Sequence, residues 1–467
     1  MKTKRPVNHR IVGVSVSIML LTGCTSLSTM QDNLPWKAGS SNGASAITSA
    51  NAATPVINVN RPAISAEWWQ RFNDPQMTSL IQIALQAHPN IRSAQASLQS
   101  ARAKNSIAGA SLLPTVNSSA SASRNNSGDS YSLGIGASWE ADIFGANGME
   151  RDATGYEMQS AQANLEDVKA ALAAEVATTY VLLRSGQASL AISQQGLSKQ
   201  EETFKLVSLK QQAGLATGLA VDQASLSLGQ TKAKIPAQQN SINQSQAALV
   251  ALTGLSAEEI TKRVSGGGSI PSVSFSLLNN IPADMIRQRP DIRMAEYGVL
   301  ASSLRVSISQ TALYPSLSLS GSLGLSSLSL SDLIDPAEIA KSLIASITAP
   351  LFNGGKLRQQ VVIQQSSEQV ALANYDKAIR SAINDIADAL SDLQSLRQQE
   401  PILVNNLQLA RSNEKLSQLS YESGEDDFTS VLTAQSTTLS AEQSLSAAKA
   451  EFAQAVISVY KAIGGAW

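Results

Sequence analysis

Residues Tyr131 to Phe144 alternate without a break. Tyr131, Leu133, Ile135, Ala137, Trp139, Ala141 and Ile143 fall on one parity, and Ser132, Gly134, Gly136, Ser138, Glu140 and Asp142 on the other. A period of two places the first set on one face of a β-strand and the second on the opposite face. One face is apolar and the other is small or charged. That suits a strand half-buried in a water-soluble protein, and it equally suits one with lipid on one side and a wet lumen on the other. A proline-free helical pattern follows at once, from Asn147 to Gln212. A strand that opens onto so long a helix is unusual for a compact domain.

The ordered chain is written twice. His88-Pro89-Asn90-Ile91-Arg92 matches Arg289-Pro290-Asp291-Ile292-Arg293, and Leu112-Leu113-Pro114 matches Leu313-Tyr314-Pro315. Further on, Phe144 matches Phe352, Gly214 matches Gly424, and Gly254 matches Gly464. Each half reads in the same order. A helical segment broken near a proline comes first (Pro75 to Ser111; Ala283 to Ala312). Two strands follow, Thr115 to Ser123 with Tyr131 to Phe144, and Ser316 to Ser326 with Ser342 to Phe352. Polar loops, Arg124 to Ser130 and Ser327 to Lys341, join them. Two long helices close each half: Asn147 to Gln212 with Leu219 to Leu252, then Gly355 to Ser423 with Phe428 to Ile463. At 1.5 Å per residue the longer helices span ~100 Å. Heptad-like spacing, as in Val176, Leu183 and Leu190 or in Ile379, Ile383, Ile386 and Leu390, makes each pair a coiled-coil hairpin.

Four strands cannot close a barrel, and open edges are not tolerated in hydrocarbon. If the strands lie in a membrane, several chains must share one barrel. Two chains would supply eight strands around a filled interior, and three would supply twelve around an open lumen lined by the serine-rich parity. The expected fold is therefore a mixed α and β chain with an internal duplication, whose four strands need those of other copies if they lie in a membrane. The long hairpins would follow the same symmetry and form a ring of helices that continues the lumen.

The N-terminal residues 1–23 read as a secretory signal. Lys2, Lys4, Arg5 and Arg10 precede an apolar run, Ile11 to Leu21, that is short for a bilayer span. Leu21-Thr22-Gly23-Cys24 resembles a bacterial lipobox, so Cys24, the only cysteine, is the expected lipidation site. Thr25 after it, rather than Asp, resembles the pattern of lipoproteins sorted to the outer membrane. Residues 24–65 read as an extended tether rich in Ser, Ala, Asn and Thr, and Trp68, Trp69 and Phe72 as the start of packing onto the helices. The expected domains are then 66–254 for the first repeat, 255–282 for a linker in the equatorial region, and 283–467 for the second repeat. With 35 basic and 36 acidic residues, nothing marks nucleic acid as a partner.

The lipobox, the duplicated helix–strand–strand–helix–helix order and three motifs together resemble the TolC-like outer membrane efflux proteins, specifically the lipidated branch. The motifs are Arg289-Pro290-Asp291-Ile292-Arg293 with Pro89, the strand exit Pro350-Leu351-Phe352-Asn353-Gly354-Gly355, and Tyr421-Glu422-Ser423-Gly424 followed by Val431-Leu432-Thr433-Ala434-Gln435. The resemblance covers about Ala66 to Gly464. It implies a mixed α and β membrane protein that forms a homotrimer, with four strands per chain in a shared 12-stranded β-barrel in the outer membrane and a twelve-helix α-barrel as a tunnel across the periplasm. It also implies a periplasmic adaptor and an inner-membrane pump of the resistance-nodulation-division type. The implied function is a passive exit duct for drugs or other small molecules.

Two turns sit at the far ends of the hairpins: Gly214-Leu215-Ala216-Thr217-Gly218, followed by Asp222, and Gly424-Glu425-Asp426-Asp427. One reading is local, with glycine ending a helix and an acid capping the next. The other is collective: under three-fold symmetry Asp222, Glu425, Asp426 and Asp427 form carboxylate rings at a periplasmic entrance. The resemblance adds adaptor docking at Gly214, Tyr421 and Gly424. It also places an acid near Ser430 or Thr433, where this chain has none. Trp139, Phe144 and Phe352 are expected at the membrane interface or at the junction between barrel and helices.

No enzyme is expected. His88 is the single histidine after the signal segment, and no P-loop, dinucleotide motif or Cys/His metal cluster occurs. No cofactor or metal is expected beyond the lipid on Cys24. The rival readings are a lipid-anchored periplasmic coiled-coil scaffold, which leaves the four strands unexplained, and an exit duct for type I protein secretion or metal efflux.

Overall fold

A computed structural model describes residues 67–126, 128–266, 268–273, 286–329 and 339–465. The chain divides at Pro62, and every described residue belongs to the unit Ala63–Trp467. The expected signal segment, Cys24 and the tether lie outside the described residues. So do 274–285, where the linker meets the second repeat, and 330–338 of the second strand loop.

The elements follow the duplicated order. Helices α1 (Pro75–Ala87) and α2 (Pro89–Ala110) precede strands β1 (Thr115–Asn125) and β2 (Gly128–Ala141). Helices α3 (Ala146–Gln212) and α4 (Gly218–Thr253) complete the first half, and the short α5 (Ala257–Val264) follows. The second half holds α6 (Pro290–Thr311), β3 (Ser316–Ser327), β4 (Ile339–Thr348), α7 (Lys356–Ser423) and α8 (Phe428–Ala462). The repeats match in length: α2 and α6 have 22 residues each, α3 and α7 have 67 and 68, and α4 and α8 have 36 and 35. The prolines explain the early break. Asp74 caps α1 by accepting from the Gln76 and Met77 amides, and Pro75 takes the first helical position, where no amide is needed. His88 then ends α1 and caps α2, its Nδ1 accepting from the Asn90 amide at 3.2 Å.

The strands form one antiparallel sheet in the order β1-β2-β3-β4, so the two halves join through β2 and β3. Several strand ends differ from expectation, and the two nearest the helices have a local cause. β2 stops at Ala141 because Asp142 turns to cap α3, accepting from the Asn147 and Gly148 amides at 3.0 and 2.8 Å. β4 runs from Ile339 to Thr348 and never reaches Phe352, since Pro350 offers no amide to a ladder. The first polar loop is also shorter than expected, because pairing extends to Asn125 opposite Gly128.

The main core lies where both halves meet. Trp68, Trp69, Met77, Leu80, Ile81, Tyr180, Leu183, Leu249, Ile260 and Tyr460 are buried there. Trp68 stacks on Tyr460 with ring centroids 5.3 Å apart. Buried polar bonds stitch the same region. The Tyr180 hydroxyl donates to Asp74 Oδ2 at 2.9 Å and accepts from Arg184 Nε at 2.9 Å, while an Arg184 guanidinium nitrogen donates to the Val264 carbonyl. Burial pushes the Tyr180 hydroxyl up to about 12. Gly464 shows why glycine recurs at the helix ends. Its φ is +87°, and an added Cβ would stand 3.0 Å from Arg289 Cα.

Candidate functional site

Residues opposite each other in a ladder share a face, so the register sorts the sheet. Leu133 faces Leu325, Ile135 faces Leu323, Trp139 faces Leu319, and Ala141, Leu317 and Ile347 form a row. The other face carries hydroxyls. Thr115 bonds Ser138, Ser121 bonds Ser132, and Ser123 bonds Ser130, each at 2.8 Å, and Ser322 bonds Ser342 at 2.7 Å. Among the described residues Glu140 is the one ionisable group on that hydroxyl face. Among the described residues none covers the apolar face: Leu343 and Ile347 are 77% and 76% exposed. Among them, too, the outer edges of β1 and β4 have no partner strand. Soluble sheets do not leave a broad apolar face and two edges open.

A second uncovered surface runs along the helices. In α7, Ile402, Leu409 and Leu416 repeat every seven residues and are all about 60% exposed. Leu219 and Leu226 stand open on α4 with the same spacing. A heptad stripe is the pattern that packs against another helix. Ile383, expected inside the hairpin, also lies outward, while its neighbour Ile386 is buried.

The two tips share one backbone design and differ in chemistry. Gly214 ends α3 with φ +75°, and the Leu215 amide returns to the Lys210 carbonyl at 2.7 Å. Gly424 ends α7 with φ +79°, and the Glu425 amide returns to the Ser420 carbonyl at 2.9 Å. Both are left-handed helix stops that glycine adopts without strain. Thr217 caps α4 by accepting from the Ala220 amide, and Asp427 caps α8 by accepting from the Thr429 and Ser430 amides. Asp222, Glu425 and Asp426 are exposed. Tyr421 is half-buried at the second tip. It packs on Phe428 at 5.4 Å, the Lys210 ammonium sits 4.2 Å over its face, and it borders a small core of Val207, Ala220, Ala224 and Phe428. That core holds the two tips together.

Sequence reasoning missed the network around Arg289. This buried guanidinium donates to both Asp291 oxygens at 3.0 and 2.8 Å, to Asp385 at 2.9 Å and to the Ala462 carbonyl at 2.6 Å. Its place in the Arg289-Pro290-Asp291 repeat was the available signal. Of the aromatic candidates, Trp139 donates to the Leu112 carbonyl, Phe144 stacks on Tyr314 at 5.1 Å, and Phe352 is exposed. Among the described residues no group of three or more His, Cys, Asp or Glu stands ready for a metal, and no helix is long and apolar enough to cross a membrane.

A helical hairpin pair fused to a four-stranded sheet with a lipid-compatible face defines a class. The chain belongs to the outer membrane efflux protein family, whose profile matches residues 80–255 and 281–465. Among its relatives is SrpC of Pseudomonas putida, a solvent efflux pump outer membrane protein. The two are 30% identical over 417 residues, covering 85% of this chain and 86% of SrpC. The solved outer-membrane channel OprN superposes with a TM-score of 0.82 at 28% identity, covering 86% of this chain and 93% of that one. The outer membrane protein VceC of Vibrio cholerae gives 0.79 at 25% identity, covering 86% and 98%.

Proposed function

We propose that three copies of this chain pool their strands into one twelve-stranded barrel and their hairpins into one helical tunnel. The assembly is the passive outer-membrane exit duct of a tripartite efflux system. The observation that carries this reading is the sheet, open at both edges and bare on its apolar face. Joining β4 of one copy to β1 of the next pairs every edge. The apolar face then meets lipid and the hydroxyl face a wet lumen. The heptad stripes on α7 and α4 supply the helix–helix seams between copies.

In this reading a lipid on Cys24 anchors the N-terminus in the outer membrane. A periplasmic adaptor, itself held by an inner-membrane pump of the resistance-nodulation-division type, meets the tips around Gly214 and Gly424. Glu425 and Asp426 line the entrance in rings, with Asp222 near them. Asp427 is committed first to capping α8. The name of the relative SrpC supports small organic molecules as cargo over proteins or metal ions. Planar bilayers test the duct directly. The purified protein is expected to insert as discrete conductance steps, which grow in a Glu425→Ala/Asp426→Ala variant. A flat current from both proteins contradicts the reading and favours the scaffold alternative.

A further inference from the structure

Where the sheet meets the helices, a cavity of about 420 Å³ opens between the ends of β2, β4 and α6 and the starts of β3 and α3. Glu140, Asp142, Phe144, Ile308, Tyr314 and Pro350 contribute to its walls, and no lining residue is basic. Asp142 spends both carboxylate oxygens on the first amides of α3. Glu140 is different. Among the described residues it has no hydrogen-bond or ion-pair partner, and it is exposed to the cavity. The stacked pair Phe144–Tyr314 adds aromatic surface beside it.

We infer that this cavity is a transit site for lipophilic organic cations, on which drugs or solvents with a positive centre rest between tunnel and barrel. The inference rests on the duct reading in that it takes the hydroxyl face, and Glu140 with it, as lumenal. The volume falls within the ~300–1,000 Å³ typical of small-molecule sites. Apolar and aromatic walls take the body of such a molecule, and aromatic faces attract its charge. Two carboxylates without a basic neighbour repel an anion of the same shape. A neutral molecule gains from the walls alone.

Tetraphenylphosphonium and tetraphenylborate share size and shape and differ in sign, which makes them suitable probes. Equilibrium dialysis against the full-length protein in nanodiscs, with empty nanodiscs as blank, measures both. The cation is expected to bind saturably and the anion not. Glu140→Gln should weaken the cation roughly fivefold, the size expected of one part-exposed charge contact. Glu140→Asp should keep most of the affinity, and Tyr314→Leu should weaken the cation with Glu140 intact. Equal binding of the two ions, no saturable cation binding, or an unchanged Glu140→Gln affinity overturns the proposal. Planar-bilayer conductance of the same purified protein separates the two readings. Pores without saturable cation binding sink the site and leave the duct, whereas saturable binding without pores sinks the duct and with it the transit role proposed for the cavity.

Discussion

Helices α3 and α7 occupy the same place in the two repeats and differ by one residue in length. Their surroundings are not alike. α3 is wrapped by α1, α2, α4, α6 and α8, and buries Leu172, Val176, Tyr180, Leu183 and Val207 among others. α7 touches α6 and α8, and buries Ala382, Ile386, Ala389, Leu393 and Ala410. It leaves Val362, Ile363, Val370, Ile402, Leu409, Leu416 and Leu419 open. Duplication alone would make two equal helices. The difference is that α3 is sunk in the core that both halves build, while α7 leaves most of its large apolar residues open. The sheet shares the condition of α7, and in the proposed assembly both open surfaces are completed between copies.

The comparison breaks or sharpens under substitution, and the strands should respond most. Leu343→Arg with Ile347→Arg costs nothing in water, where both side chains are already exposed. In a lipid-facing strand each arginine costs about 2–4 kcal/mol near the midplane. The double variant should therefore fail to enter the outer membrane, as read by membrane fractionation; normal insertion would place these residues away from lipid. Next comes a paired test of the helices. Leu183→Ala in α3 should lower stability by about 2–5 kcal/mol under any conditions. Leu409→Ala in α7 should matter only in the assembly, and change the denaturation of dispersed single chains by less than about 0.5 kcal/mol. Equal effects in dispersed chains would erase the distinction drawn between the two helices.

The tips follow with smaller effects. Asp427→Ala and Thr217→Ala each remove one cap, worth about 1 kcal/mol. Faster hydrogen exchange confined to the first turn of α8 or α4 is the expected sign. The smallest effect depends on pH. Burial, and secondarily the Asp291 carboxylate, raise the Asp167 pKa above its ordinary 3.8, against the pull of Arg289 and Lys461. Its stabilising contribution is full below 3.8 and is lost as pH rises through the raised folded value. Asp167→Asn should thus raise the melting temperature at neutral pH, and the gain should shrink as pH falls towards 3.8. A gain independent of pH would assign the effect to packing instead.

Much of this was legible in the residues. The alternation from Tyr131 and the serine parity of β3 fixed both faces, and the offset repeat predicted helices of matched length. Strand ends were less legible, because a side chain decided them: Asp142 leaves the alternation to cap α3, and nothing in a period of two announces that. Arg289 looked like part of a motif, yet its partners Asp385 and Ala462 are distant in sequence. The tip acids allowed a capping and a collective reading, and the amide geometry assigns them: Asp427 accepts from the Thr429 and Ser430 amides of α8, Asp426 accepts only from the Asp427 amide before the helix, and Glu425 is exposed.

The central claim is that copies complete one another. Native mass measurement of the full chain, extracted in mild detergent from outer membranes, tests it most directly. Three chains in one particle is the predicted result. A particle of one chain, with β1 and β4 still unpaired, would contradict the account.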